Sequence, residues 1–373
     1  MRQIEIKYNF IRDGGYLGEI RALQDTAPIL RMDAGGSIKT GLSGQFARLG
    51  RDADGRPIEY NMLRDEIQPV LTINGTEYPL GIFSVSRPSD IDDGPLTSVS
   101  VQAYDRCWRV RDTRSAAIWY WPAGTLYLDA VEQLLTAAGI TTVIKTQSTA
   151  VFSEAREDWP LGESHLTIIN QLLQEINYKA LYFDSSGAAI LEPATEPEAA
   201  AVRHVVYAWT AEMQPPTDEI WKIRRQFPEA LFAQAQITRT TDVYETPNSW
   251  IVTCANPDKT ALMVATAQND NVQSPLSIQR RGREITRLVS VNNIPSQTEL
   301  QAYADRLRNE SLTTGETIEL TTLLDAGWGA EDGVMLFLNG EGSICVSRGY
   351  EMELAPGGLM RHRLERVVYN LDV

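Results

Sequence analysis

The sequence predicts an α+β protein, predominantly β, in which two β-rich halves at residues 1–112 and 201–373 flank an α/β insertion at 113–200. Three observations carry that reading. Short runs of alternating apolar residues, separated by Gly and Asn-Gly turn signals, fill both ends of the chain. Between Trp159 and Pro193 the apolar period changes to that of a helix and then back to that of a hairpin. A connector rich in Pro, Glu and Ala, Glu192–Ala201, precedes the return of β character.

In the first half the expected strands are Ile4–Phe10, Ser37–Phe46, Ile58–Leu63, Ile67–Ile73, Tyr78–Ser86 and Leu96–Tyr104. The turn signals between them are Asp13-Gly-Gly15, Gly35-Gly36, Asp54-Gly55, Asn74-Gly75 and Asp93-Gly94. Asn74-Gly75 marks the firmest hairpin, because both residues tolerate the left-handed backbone of a type I′ turn. Many short strands with regular turns predict a sandwich or a barrel.

The insertion opens with Pro122-Ala-Gly-Thr125, which leads into a helix carrying Leu126, Leu128, Val131, Leu134, Leu135 and Ala138 on one side, with Gly139 as its stop. Thr142–Ile144 reads as a short strand. A second helix follows Trp159-Pro-Leu-Gly-Glu163, with Ser164 placed to cap it through its side-chain oxygen. Leu166, Ile169, Leu172, Leu173 and Ile176 form its apolar stripe; Asn170, Gln171, Gln174 and Glu175 fill the other side. Beyond Asn177-Tyr178, Lys179–Phe183, the turn Asp184–Gly187 and Ala188–Leu191 predict a β-hairpin closed by Pro193.

In the second half, strands are expected at Val202–Trp209, Ala233–Asp242, Ser249–Ala255, Leu262–Ala267 and Leu288–Val291. A helix from Gln297 to about Ser311 turns Leu300, Tyr303, Ala304 and Leu307 inward. Glu316–Leu323, Val334–Leu338, Gly342–Arg348, Glu351–Leu354 and Arg361–Val368 complete the β elements.

At 373 residues the chain has ample material for a core and for two or three domains. The amino terminus alternates charged and apolar residues and lacks the apolar run of a signal peptide. No stretch approaches the ~20 apolar residues of a membrane-spanning helix, so folding in a cytoplasm is expected. Cys107, Cys254 and Cys345 lie far apart, which points to reduced, buried thiols.

A formal net charge of −15 argues against stable nucleic-acid binding. The basic knot Arg280-Arg281-Gly282-Arg283 is either a turn paired with acidic neighbours or a local binding patch.

Catalytic patterns fail on spacing. Gly36-Ser-Ile-Lys-Thr40 has Ile38 where a phosphate loop needs glycine. Gly41-Leu-Ser-Gly44 has Gln45 in place of the closing glycine of a nucleophile elbow. His165, reading as a surface residue at a helix start, His204, and His362, on the polar face of a terminal strand, lack metal-ligand spacing. Asp90-Ile-Asp-Asp-Gly94 lacks the spacing of a calcium loop and reads as an acidic turn. No catalytic, metal-binding or cofactor-binding residue is therefore assigned. The cluster Ile118-Trp-Tyr-Trp121 is more telling. In an extended segment alternate residues point to opposite faces, so either both faces are covered or one is an interface. Trp119, Tyr120, Trp121, Arg280, Arg281 and Arg283 are the candidate partner-contact residues.

Several stretches resemble the tail-hub proteins of bacteriophages. They include Gly81–Pro88, Ala103–Cys107, Pro122–Ala130, Leu134–Ile140, Ile168–Tyr178, Ala188–Pro193, Val243–Asn248, Cys254–Asp258, Ser274–Arg283 and Glu351–Val368. Their order and number carry the likeness, which spans the chain from about Leu42 onward. The resemblance implies two tube-like β domains per subunit and a homotrimeric ring at the distal end of the tail tube. Three subunits would then present a pseudo-sixfold face to a sixfold tube. It implies as partners a tail-tube protein, a distal tip or spike protein and a tape-measure protein, and as location the virion tail. Many relatives continue into a peptidase or spike; here the chain stops at Val373 after the last strand, so neither activity is expected. The alternatives are a tail-associated cell-wall hydrolase, whose paired carboxylates 49 acidic residues leave open, and a receptor-binding adhesin stacking carbohydrate on Trp119–Trp121.

Overall fold

A computed structural model describes residues 2–23, 27–93, 96–194, 202–209, 222–223, 225, 231–239, 246–254, 262–291, 293–310 and 313–367. The expected connector from 195 to 201, the expected strand ends at 240–242, 255 and 368, Ser311 and Gly94 lie outside these residues.

In the first half, β1 (Ile4–Arg12) and β2 (Gly15–Ile20) form a hairpin, followed by β3 (Ile29–Asp33) and β4 (Thr40–Ala47). The short β5 (Gly50–Arg51) and β6 (Pro57–Ile58) precede β7 (Glu66–Ile73), β8 (Thr76–Pro79), β9 (Phe83–Asp93) and β10 (Leu96–Asp105). The β7–β8 turn has Asn74 and Gly75 at φ 50° and 85°, the type I′ geometry that the dipeptide predicts. The sequence left β2 and β3 unassigned. Ile58–Leu63 is not one strand: Asn61 to Asp65 form a tight turn, in which Asp65 accepts from the Asn61 amide at 2.7 Å and from Arg12 at 2.6 and 2.7 Å. The expected strand Tyr78–Ser86 is divided between β8 and β9 because Gly81, at φ 117°, breaks the extended path.

Pairing in this half runs β4–β10–β9–β7–β1–β2. It then returns to its start, because Ala22, just past β2, bridges Phe46 of β4. Leu23 donates to the Gln45 carbonyl and Ala47 to that of Arg21, both within 2.9 Å. Six strands therefore close on themselves.

Residues 107–193 follow as an α/β insertion with its own core. It holds α1 (Cys107–Asp112), α2 (Tyr127–Ala137), β11 (Val143–Lys145), α3 (His165–Glu175), β12 (Tyr182–Phe183) and β13 (Ala189–Leu191). β12 and β13 form the expected hairpin, and β11 joins β13 in parallel. Leu166, Ile169, Leu172, Leu173 and Ile176 are buried as the spacing predicts, and Ile168 joins them. Each fully buried Leu or Ile contributes about 1.5–3 kcal/mol. Asn177 at φ 57° ends α3, with Tyr178 donating to the Leu173 carbonyl.

Two expectations for α3 are corrected. Ser164 occupies the cap position, but its hydroxyl donates at 2.9 Å to the carbonyl of Arg111 instead of accepting from its own helix. That carbonyl, in the last turn of α1, would otherwise lack a partner. Glu175 does not lie on a solvated side; it is buried against Arg156.

The second half contains β14 (Val202–Trp209), β15 (Leu231–Arg239), β16 (Ser249–Cys254), β17 (Met263–Gln268), α4 (Ile278–Arg281) and β18 (Thr286–Val291). Then come α5 (Gln297–Glu310), β19 (Thr313–Leu323), β20 (Gly333–Leu338), β21 (Glu341–Glu353) and β22 (Leu359–Val367). The expected strands Gly342–Arg348 and Glu351–Leu354 are one strand, β21, whose register slips by a bulge between Ser347 and Gly349.

Pairing runs β14–β15–β19–β22–β21–β20 and returns to β14, a second closed circuit of six strands. β3 pairs with β4 on one side and β21 on the other, so both circuits belong to one 16-stranded sheet. Their interiors form one buried cluster that includes Phe10, Phe46 and Phe83 from the first circuit and Leu336, Met360 and Leu364 from the second.

Between β15 and β19 lies a second α/β unit that strand spacing alone did not separate. β17, β16 and β18 make their own sheet, and α5 covers one face through Leu300, Tyr303 and Ala304. The two inserted units touch: Tyr127 Oη donates to the Asn293 carbonyl at 3.1 Å, and Gln174 Nε2 to Tyr303 Oη at 2.8 Å.

Candidate assembly surfaces

The aromatic cluster lies on a ribbon in which residues 114–121 run antiparallel to 156–164, through bridges Arg114–Ser164 and Trp121–Arg156. Alternation then decides each side chain. Trp121 is buried and donates through Nε1 to Gln133 Oε1 at 2.9 Å. Trp119 is half-buried and stacks on Trp121 with ring centres 5.4 Å apart. Ile118 and Tyr120 point the other way, 55% and 61% exposed, and Leu161 on the opposing segment is 63% exposed. Of the three expected contact aromatics, only Tyr120 is an open surface residue.

Beneath the ribbon, Arg156 forms a bidentate pair with Glu175 at 2.7 and 3.1 Å, and also bonds Asp158. Its guanidinium lies 5.0 Å from the Trp159 ring and 5.3 Å from that of Phe152. Burial pushes the Glu175 carboxyl up, and the two bonds from Arg156 oppose that rise.

The basic knot stands in the second inserted unit. Ser277 caps α4 by accepting from the Arg280 amide, and Gly282 closes it at φ 65°. The acceptors for the first two arginines are carbonyls, not the acidic neighbours expected: Arg280 Nε donates to Val272 at 2.8 Å, Arg281 Nη1 to Thr246 at 2.5 Å. Arg281 is thus partly inside the fold, and burial, with Arg283 nearby, lowers its pKa. Arg280 and Arg283 are exposed. The expected contact residues therefore belong to two different inserted units.

Sequence reasoning missed the open face of the β17–β16–β18 sheet. Register places Ile251, Thr266 and Leu288 in one row and Thr253, Val264 and Ser290 in the next, opposite the side covered by α5. Leu288 is 66% exposed. The period-two pattern of β18 held the signal, but only the position of α5 says which face stays open.

A cleft of about 1040 Å³ lies between the inserted units and the large sheet. Several of its charges are engaged with one another. Glu192 accepts from Lys179 Nζ at 2.7 Å and Tyr182 Oη at 2.8 Å, which hold its carboxyl below the usual range despite burial. Asp332 meets Arg203 at 3.2 Å, and Arg348 meets Glu365 at 2.6 Å. Asp105 is raised by burial, yet takes bonds from the Thr40 amide, the Thr40 hydroxyl and the Cys107 amide. Such acids fix local structure.

Two histidines are corrected. His165 is buried, and Nδ1 faces the Leu134 carbonyl at 3.2 Å, which requires the proton on that nitrogen. His362 is also buried. Thr322 Oγ1 donates to the Leu323 carbonyl and so accepts from His362 Nε2 at 2.9 Å. Burial, with His204 nearby, lowers the His362 pKa to about 3. Trp328 lies between His204, stacked at 3.9 Å, and His362, tilted at 4.2 Å. Among the described residues no three His, Cys, Asp or Glu side chains gather as a metal site, and no helix is long and apolar enough to cross a membrane. All three cysteines are buried.

No family model and no curated protein matches the chain. Solved structures do. A tail protein from Neisseria meningitidis superposes with a TM-score of 0.64 at 12% identity, over 96% of each chain. A prophage tail protein from Shewanella oneidensis gives 0.59 at 11%, over 97% of this chain and 98% of that one. A prophage tail protein from Listeria monocytogenes gives 0.51 at 11%, over 96% and 94%. The chain therefore has the fold of phage tail proteins over nearly its whole length, α+β and predominantly β.

Proposed function

We propose that this chain is a structural, non-enzymatic hub of a bacteriophage tail or tail-like particle. Three copies form a ring that adapts a sixfold tail tube to a threefold tip. The observation that carries the reading is the presence of two closed six-strand circuits in one chain, joined through β3. Each circuit plays the part of one tube-like domain, so a trimer offers six to a sixfold tube. The fold shared with tail proteins supports the same role and a place in the virion tail. The tube protein would meet the ring above, with a tip or spike protein below and a tape-measure protein through it. A net charge of −15 suits a lumen that must repel nucleic acid during ejection. Two of the cleft acids, Glu192 and Asp332, are engaged with Lys179 and Arg203, which removes that pair from the carboxylates a wall hydrolase would need.

Light scattering of the purified protein near neutral pH and moderate salt tests the ring. Three chains of 41.6 kDa give about 125 kDa. A particle of that mass is the expected result. A monomer at every concentration, which also fails to assemble with a tube protein, would refute the ring.

A further inference from the structure

The dipeptide Asn-Gly occurs twice in the sequence, and both times it forms a two-residue hairpin turn. Asn74-Gly75 joins β7 to β8, with Ile73 opposite Thr76; Asn339-Gly340 joins β20 to β21, with Leu338 opposite Glu341. The backbones match: φ is 50° and 85° in the first turn, 51° and 90° in the second. A Cβ at either glycine would meet no atom within 4 Å, so neither is crowded.

An asparagine followed by glycine is open to attack by its own backbone, because glycine has no side chain to hinder the approach. The glycine nitrogen gives up its proton to base and bonds to the asparagine Cγ. The Cγ–Nδ2 bond breaks, and ammonia leaves with a proton taken from water, so that a cyclic imide remains. Water then opens the imide. Cleavage on the Cγ side gives aspartate; cleavage on the main-chain carbonyl side gives isoaspartate, whose backbone runs through Cβ and Cγ. Water is the only co-reactant. Ring closure requires the Asn-Gly peptide to rotate out of the type I′ turn, so the rate follows how often each turn opens.

The two turns differ in what holds them shut. β8 has four residues and pairs with β7 alone among the described residues. Its Thr76, Glu77 and Tyr78 are exposed. The contacts that pin it are solvated too: Lys7 Nζ donates to Glu77 Oε1 at 2.6 Å, while Gln3 donates to Asn74 Oδ1 and accepts from the Asn74 amide, each at 3.0 Å. A short edge strand with solvated side chains opens at little cost. β20 is held on both sides. Its Val334, Leu336 and Leu338 are buried, β14 pairs with it as far as Leu338, and the Asn339 amide donates to the Ala208 carbonyl at 3.0 Å. Asn74 is exposed, whereas Asn339 is half-buried. We propose that Asn74 is a site of spontaneous deamidation in the folded protein and that the fold protects Asn339. Aspartate at this position keeps an oxygen for the Gln3 amide. Isoaspartate lengthens the backbone of a two-residue turn and so disturbs the β7–β8 register. That hairpin leads into Pro79 and Leu80 in the wall of the cleft, which the change would loosen.

The test holds the full chain at mildly alkaline pH and follows both sites over time by peptide mass spectrometry that separates asparagine, aspartate and isoaspartate. A parallel sample is kept in urea strong enough to unfold it. In the folded protein Asn74 should convert at least about tenfold faster than Asn339, the ratio of the two opening equilibria. In urea the two sites should convert at the same rate, since each is an Asn-Gly peptide without a fold around it. Equal conversion of both sites in the folded protein would overturn the proposal, as would an Asn74 that stays intact when folded yet converts in urea. The same ratio in urea as in the folded protein would also overturn it, because neighbouring residues rather than the fold would then set the difference. The fraction carrying isoaspartate at position 74 should unfold at a lower urea concentration than fresh protein; an unchanged midpoint would refute the effect on the hairpin.

Discussion

Replacing Arg156 with alanine should unfold the first inserted unit at a markedly lower denaturant concentration. The Arg156 side chain is 3% exposed and that of Glu175 is 5% exposed, so neither charge regains water when its partner is removed. A buried carboxylate left without its bidentate partner costs about 3–5 kcal/mol. The lost guanidinium packing against Trp159 and Phe152 adds to that. Trp159 lies against Arg156 and Trp121 against Trp159, so tryptophan fluorescence in a urea titration senses this unit along with the rest of the chain. Glu175→Ala should cost less than Arg156→Ala, because Arg156 retains Asp158 as a partner. The double variant should cost less than the sum of the two single ones, since the second substitution removes a charge already unpaired. A midpoint for Arg156→Ala within about 0.5 kcal/mol of the parent, as at an ordinary surface site, would refute the account. Additive single effects would refute the coupling.

Gly75→Ala should destabilise by about 1–2 kcal/mol, the cost of a side chain in the left-handed region, because a Cβ at φ 85° meets no atom within 4 Å and backbone strain alone remains. Gly75→Asn should cost less, and equal effects in urea unfolding would contradict the strain argument. For His362 the folded pKa of about 3 lies below the ordinary 6.5, so the folded state resists protonation. Its contribution is fully present above pH 6.5 and declines as pH falls through 6.5 toward 3. The urea midpoint should therefore drop as pH falls from 6.5 to 5, and less so in His362→Gln; parallel curves for the two proteins would count against it.

Much of the secondary structure was legible because its causes are local. The 3.6-residue stripe from Leu166 to Ile176 and the Asn74-Gly75 turn each contain their own instructions. Strand bounds failed where a single residue redirects the chain, as at Gly81, or where a bulge joins two runs, as between Ser347 and Gly349. Burial of polar residues was misread for a common reason. His165, Glu175 and His362 look like surface residues in sequence, and each lies inside against a partner distant in the chain: the Leu134 carbonyl, Arg156 and the Thr322 hydroxyl.

The candidate surface shows the same division. Alternation along Ile118–Trp121 establishes that two side chains face one way and two the other; Gln133 and Trp159, brought by α2 and the opposing ribbon, decide which way is inward. The sequence by itself determined the elements, the turns, the reduced cysteines and the acidic balance, since these follow from residue type and spacing. Only the tertiary structure decided that twelve of the strands close into two circuits through β3, that a second inserted unit stands between β15 and β19, and that one face of its sheet is open. Strand partners are chosen by backbone hydrogen bonds, which every residue except proline offers alike, so pairing between distant segments leaves little trace in side-chain order.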